Sequence, residues 1–256
     1  MSNGNYASIN GIKMYYEIHG EGKPLVLIHG GGSTIESNWS AVLPLFAKYY
    51  QVIAVELQAH GHTSDRDSPV SFQQDADDVA GLLKYLDISK AYILGFSNGA
   101  STTMQFAIRH PELAEKIVVI AGVYQREGLI PGFFDFMEIA SLDNMPLPIQ
   151  DAFLKINPDR GALKNMHDKD ADRMRTFKDW DDADIQSIKL PSLIINGDND
   201  VILTEHALKL SKLIPNAALI VLPGVHGACI GEVCTTLPGS KQPAITVELV
   251  KEFLDK

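Results

Sequence analysis

Ser97 lies between two glycines in Gly95-Phe96-Ser97-Asn98-Gly99. A serine hydroxyl is a poor nucleophile near neutral pH. It becomes useful when a base takes its proton, an acid orients that base, and donors receive the oxyanion its attack creates. The surroundings of Ser97 suit that task. Ala91-Tyr92-Ile93-Leu94 is a short apolar run that reads as a buried strand, and Ala100 to His110 carries a helical pattern stopped by Pro111. A serine on a sharp strand-to-helix turn stands above the sheet edge at a helix N-terminus, and such a turn has no room for bulk two residues to either side.

The other parts of an acyl-transfer site can be sought in the loops that follow predicted strands. Of eight histidines, His226 alone lies in the loop after the last strand, in Pro223-Gly224-Val225-His226-Gly227, where the glycines let the chain swing an imidazole over the sheet. It is the candidate base. The acid should end an earlier strand, and Asn196-Gly197-Asp198-Asn199-Asp200 offers two aspartates. Asp198 suits a turn that caps its own backbone. Asp200, followed by Val201-Ile202-Leu203, can reach inward and is preferred. The N–H of Asn98, after the serine, is one candidate oxyanion donor. The second should come from His29-Gly30-Gly31-Gly32, with Gly31 ahead of Gly32, because absent side chains let the backbone approach a substrate oxygen.

Those residues need a scaffold. Asn10-Gly11 between two alternating segments predicts a hairpin. Leu25 to Ile28, Gln51 to Glu56, Ala91 to Leu94, Ile117 to Ala121, Leu193 to Asn196 and Ala218 to Leu222 read as strands. Helices are expected over 39–47, 71–86 (with Ser71 and Gln74 as a capping box), 100–110, 204–213 and 244–254. Asp75, Asp77 and Asp78 read as a solvated, dipole-compatible face. Between Val123 and Ser187 the strand–helix rhythm breaks into a stretch rich in Phe, Met and Pro. The alternation predicts an α/β fold, a mainly parallel sheet with helices on both faces, interrupted by that insertion, with the site beyond the carboxyl ends of the strands.

Composition narrows the function further. The chain has 256 residues, 45% of them hydrophobic, and a net charge of −10. An acidic chain without a basic stripe points away from nucleic acid and anionic membranes. No run approaches the ~18 apolar residues of a membrane span, and the first eighteen residues lack a signal-peptide pattern, so a cytoplasmic location is expected. Cys229 and Cys234 read as free thiols. His60, His62 and Asp65 have ligand-type side chains, but their loop reads as a structural turn, and neither metal nor cofactor is expected. Substrate contacts are sought at Phe96 beside the serine, at Trp39, and at Phe133, Phe134, Phe136 and Met137 of the insertion. The expected partner is a small-molecule ester, with a homodimer as the assembly allowed for.

The four segments His29 to Gly32, Gly95 to Gly99, Gly197 to Asp200 and Gly224 to Gly227 stand in the order and spacing of the α/β-hydrolase superfamily. Over essentially its whole length the chain resembles that family's small capped serine esterases and haloperoxidase-like hydrolases. The resemblance implies a core of residues 1–122 and 188–256, a helical cap at 123–187, and a catalytic aspartate at Asp200. Two features depart from the commoner pattern: Glu56-Leu57-Gln58-Ala59-His60-Gly61-His62 after the fourth strand, and Val-His-Gly around His226. The resulting expectation is ester hydrolysis of small to medium apolar acyl or aromatic substrates through an acyl-enzyme. A serine at the turn disfavours dehalogenase and epoxide-hydrolase chemistry, which use aspartate there. Peracid formation, carbon–carbon bond hydrolysis and a slow or inactive signal receptor stay open on the same scaffold.

Overall fold

Asn10 and Gly11 both adopt positive φ, 46° and 87°, the conformation that matches the twist of a two-residue hairpin. They join β1 (Gly4–Ile9) to β2 (Ile12–His19). The computed structural model describes residues 4–256, so the first three residues of the expected 1–122 segment, where the leader reading also begins, lie outside the described residues. The chain continues through β3 (Lys23–Ile28), α1 (Ile35–Trp39), α2 (Leu43–Phe46), β4 (Tyr50–Val55), α3 (Phe72–Tyr85), β5 (Ala91–Phe96), α4 (Asn98–Arg109) and β6 (Ala114–Ile120). Then come α5 (Phe133–Glu138), α6 (Leu147–Ile156), α7 (Arg160–Arg175) and α8 (Asp182–Gln186). The chain closes with β7 (Ser192–Gly197), α9 (Thr204–Leu213), β8 (Ala217–Leu222) and α10 (Gln242–Asp255).

Among the described residues, eight strands form one sheet in the order β1-β2-β4-β3-β5-β6-β7-β8. β1 and β2 pair antiparallel, as do β2 and β4, and every later pairing is parallel. Alternation along β3 sorts the two cores. Val26 and Ile28 face the layer of α3, α4 and α9, while Leu25 and Leu27 face Trp39 of α1, Phe46 of α2 and Val250 of α10. The chain leaves β3 for β4 on one side and returns to β5 on the other. The loops after β3 and β5 therefore open at the point where the strand order reverses, where ligands bind in such sheets. Ile28 pairs with Gly95 across that seam.

Some local expectations are corrected. The single helix over 39–47 is two short ones: a Thr34–Ser37 capping box starts α1 earlier, and Pro44 opens α2. Ser71 caps α3 through the Gln74 N–H, but the Gln74 side chain turns to Asp78 instead of completing the box. The acidic cluster on α3 is not a solvated face. Asp75 and Asp78 are buried against Arg173 and Arg66, and only Asp77 stays partly outside, with Arg109 and His110. Trp39 is fully buried in the core beneath α1 and does not line the cavity at Ser97, which removes it as a substrate contact.

The stretch between β6 and β7 holds α5, α6 and α7 above the carboxyl edge of the sheet. Met145, Phe153, Leu163 and Met166 give it a small core of its own, closed onto the body at Ala59. α8 returns to the body, where Ile185 packs in the core that contains α4 and α9. Both cysteines are free. No helix among the described residues is long and apolar enough to cross a membrane.

Candidate active site

The turn from β5 into α4 holds Ser97 at φ 56°, ψ −121°, outside the regions that L-residues favour. The glycines around it answer to steric need. A Cβ on Gly95 would lie 2.0 Å from the Gly99 carbonyl oxygen, and one on Gly99 would lie 2.1 Å from that of Ile28. The obstacles are backbone atoms, of α4 in the first case and of β3 in the second, which cannot move aside. Gly99→Ala is accordingly expected to cost more than about 3 kcal/mol of stability, read as a lowered midpoint of urea unfolding or loss of soluble protein. A wild-type midpoint in that variant would contradict the close packing of α4 on β3.

The structure brings Ser97, His226 and Asp200 together. His226 Nε2 lies 3.0 Å from Ser97 Oγ, and Nδ1 lies 2.7 Å from Asp200 Oδ1. That pairing sets the tautomer: Nδ1–H donates to the carboxylate, leaving Nε2 to accept from the serine. Asp200 is buried, and its Oδ1 also accepts from the Ile202 N–H at 3.0 Å. Asp198 is exposed instead, accepting from the Gly224 N–H at the base of the histidine loop. Phe96 is buried with its ring 4.6 Å from the His226 ring, so it packs behind the imidazole; it is not a substrate contact.

The glycine loop after β3 is tied at three places. The Gly30 N–H donates to Asn38 Oδ1 at 2.6 Å, the Ser33 hydroxyl to the Gly31 carbonyl at 3.3 Å, and the Gly32 N–H to Asp170 Oδ2 at 2.7 Å. Gly32 is thus excluded as a free oxyanion donor. The N–H groups of Gly31 and Asn98 have no partner among the described residues, and both residues line a cavity with Ser97. A side chain at position 31 would strike the Asn98 amide, 2.5 Å from its Cβ.

Behind this loop lies a buried polar network. The Leu57 N–H donates to His29 Nε2 at 3.0 Å, so Nδ1 carries the proton and donates to the Gly30 carbonyl at 2.7 Å. His29 is neutral, its imidazole pushed down to about 3 by burial. His60 differs, because both its nitrogens face acceptors: Gln58 O at 2.9 Å and Asp170 Oδ2 at 2.9 Å. Burial pushes the His60 imidazole down, but the Asp170 carboxylate outweighs it and holds the ring above the usual histidine range. Burial likewise pushes Asp170 up, and His60 with Arg173 holds it well below the usual carboxylate range. Arg173 lies 2.9 Å from Asp75 and 3.6 Å from Asp170. Burial pushes the Asp75 carboxyl up while the Arg173 charge pulls it down, and these two side chains meet by charge and proximity without a hydrogen bond. His60, Asp170, Arg173 and Asp75 were not anticipated as site residues. For Asp75 and Asp170 the sequence does hold a signal, a charged side chain on an apolar helical stripe: Asp75 among Phe72, Ala76 and Val79, and Asp170 among Met166, Ala171 and Met174.

The cavity above Ser97 measures about 380 Å³. Phe133, Phe136 and Met137 line it, together with Leu129, Met145, Ile149, Met174 and Ile202; its polar side chains are those of Ser97, Asn98, His226, Asn144, His167 and Asp170. Phe134 points the other way, into an outer groove under the Arg126 guanidinium, so it is not part of the lining. A larger, open groove follows the outer face of α10, lined by Lys241, Ile245, Glu248 and Leu249, with no nucleophile or base in it. His60, His62 and Asp65 do not converge, and no group of three metal-ligating side chains is found among the described residues.

A family model described as the alpha/beta hydrolase fold matches residues 23–150, half of the chain. The 2-hydroxy-6-oxo-6-(2'-aminophenyl)hexa-2,4-dienoic acid hydrolase of Metapseudomonas resinovorans is 26% identical over 238 residues, 85% of this chain and 82% of that one. The 2-hydroxymuconate semialdehyde hydrolase of Pseudomonas sp. strain CF600 is 36% identical over 119 residues, 44% of this chain and 42% of that one. Among solved structures, a serine hydrolase involved in carbazole degradation superposes with a TM-score of 0.82 at 22% identity, over 100% of this chain and 99% of its own. The enol-lactonase of Burkholderia xenovorans LB400 does so with a TM-score of 0.77 at 22% identity, over 98% and 100%. At those identities the structures speak for the fold. With the sheet order, the turn at Ser97 and the family match in agreement, this chain belongs to the alpha/beta hydrolase family.

Proposed function

We propose that the protein is a serine esterase that cleaves carboxylic esters of small to medium, uncharged, apolar acyl groups through an acyl-enzyme. Ser97 attacks the ester carbonyl while His226 Nε2 takes its proton. Asp200 holds the imidazole and stabilises the imidazolium. The N–H groups of Asn98 and Gly31 receive the oxyanion, each contributing roughly 2.7–4 kcal/mol to the transition state. The imidazolium returns the proton to the leaving alcohol, and a water activated by the same base then releases the acid.

The observation that supports an uncharged substrate is the cavity wall. It carries no lysine or arginine. Arg173, close behind Asp170, is 6% exposed and already faces two carboxylates. A substrate carboxylate placed there would be desolvated without a cation and would meet Asp170. The volume lies near the lower end of the roughly 300–1,000 Å³ of small-molecule sites, which favours short or medium acyl chains.

The second reading is carbon–carbon bond hydrolysis of a ring-cleavage product, and the names of the two relatives favour it. Both readings use Ser97 and His226; they differ in whether the site must hold an acid. One experiment separates them: a p-nitrophenyl acetate-to-decanoate rate series beside a 2-hydroxy-6-oxo-dienoic acid, after fluorophosphonate labelling and peptide mapping. Labelling at Ser97, with kcat/KM for the preferred ester at least about 10⁴ M⁻¹s⁻¹ and well above that for the dienoic acid, is the expected result. The reverse preference would hand the site to carbon–carbon cleavage.

A further inference from the structure

We propose that Asp170 is a positioning residue for the oxyanion loop: reaching in from α7, it holds the peptide between Gly31 and Gly32 so that the Gly31 N–H alone is left to face the reacting oxygen. The inference rests on the reading of Ser97 as nucleophile toward a carbonyl.

Three consecutive glycines have the widest backbone freedom a chain can have. An oxyanion donor must be fixed before the reaction, because donors that reorient during it stabilise the transition state less. The sequence supplies glycines for close approach, so rigidity has to come from elsewhere. Asn38 Oδ1 supplies it at Gly30, 2.6 Å from the N–H, and Asp170 Oδ2 at Gly32, 2.7 Å away. The unpartnered N–H of Gly31 lies between these two tethers.

Asp170 is itself held. His60 Nε2 sits 2.9 Å from the same oxygen that takes the Gly32 N–H, and Arg173 lies 3.6 Å from the other, steadied by Asp75 of α3. Simple attachment of α7 to the body does not call for such a network, since apolar residues of like volume commonly do as well or better than buried ion pairs. What an apolar side chain cannot do is accept the Gly32 N–H. The tether also makes the oxyanion loop and α7 one mechanical unit: the helix that covers the cavity is bonded to the loop that serves the chemistry. A shift of α7 would release Gly32 and the donor beside it.

The test uses wild type, Asp170→Ala, Asp170→Asn and the double variant Asp170→Ala/His60→Gln, which removes the cation that the single change leaves without its carboxylate and keeps the Arg173–Asp75 pair. With p-nitrophenyl butyrate, Asp170→Ala should lower kcat about 10- to 100-fold, somewhat less than outright loss of an oxyanion donor, with KM within about threefold. It should weaken binding of a butyl trifluoromethyl ketone, which forms a hemiketal with the serine, by a similar factor. Asp170→Asn, whose amide oxygen can still accept the Gly32 N–H, should recover part of that loss. The double variant should regain thermal stability but not kcat. Amide exchange of the 29–34 segment reads the tether even without turnover, and it should quicken in both alanine variants. A kcat within threefold of wild type in Asp170→Ala, recovery of kcat together with stability in the double variant, or unchanged exchange would each overturn the proposal. Wild type that neither labels at Ser97 nor hydrolyses the ester would sink the serine reading, and the exchange result would then decide the tether alone.

Discussion

Ser97→Ala should lower kcat by about 10⁶-fold, the scale seen when a serine nucleophile is removed from a triad, while circular dichroism and the unfolding transition stay close to wild type. The expected effect is large because the proposed mechanism forms the acyl-enzyme on this hydroxyl, which lies 3.0 Å from the His226 imidazole. The fold should tolerate the change because the hydroxyl caps nothing: α4 starts at Asn98 with no side-chain cap from Ser97. The backbone at this residue makes a second, separate claim. At φ 56° and ψ −121° a side chain is strained, a conformation that costs on the order of 1–3 kcal/mol. Ser97→Gly should therefore be as inactive as Ser97→Ala yet more stable, by about 1 kcal/mol or more. Steady-state rates and urea denaturation of the two variants measure both effects. Retained turnover in either would move the nucleophile away from Ser97, and equal stabilities would remove the argument for strain.

Asp200→Asn should lower kcat by about 10⁴-fold with little change in KM, and Asp198→Asn should leave the rate within about threefold of wild type. An amide at position 200 presents either a neutral oxygen or an N–H to His226 Nδ1. In the second arrangement it favours the tautomer whose Nε2 carries a proton and cannot accept one from serine. Even in the first it no longer stabilises the imidazolium. Asp198 has no such link. Its carboxylate accepts the Gly224 N–H at 2.8 Å, a bond that an asparagine oxygen can keep. On the proposed mechanism two aspartates two residues apart do different work, one in the reaction and one in shaping the loop that carries His226. A severe loss at 198 with a mild one at 200 would reverse the assignment.

Ser97, His226 and Asp200 were legible because each sits where strand and loop patterns meet. The candidate nucleophile stands between glycines after a buried strand, the candidate base follows the last strand, and the candidate acid precedes an apolar triplet that must turn inward. Gly31 was legible for a related reason, since close approach to a substrate leaves a run of residues without side chains. The parallel sheet and its interruption followed from periodicity, which local chemistry enforces along every strand. Trp39, Phe96 and Phe134 were misplaced on the same footing: large apolar residues near the site read alike whether they face the core, the back of an imidazole or an outer groove. Only packing separates them.

The sequence by itself determined the order of the elements, the sharp turn and its glycines, and the choice of Ser97, His226 and Asp200, which the structure brings together, because each of these follows from spacing along one stretch of chain. The tertiary structure alone decided that Gly32 is tied to Asp170, that His60 is held above the usual histidine range while burial keeps His29 below it, and that Arg173 lies between Asp75 and Asp170. Those facts depend on which buried polar groups the fold brings together, as with Gly32 and Asp170, 138 residues apart, and His60 and Asp170, 110 apart. Each such group takes its charge state from partners that the fold supplies, and no local pattern encodes them.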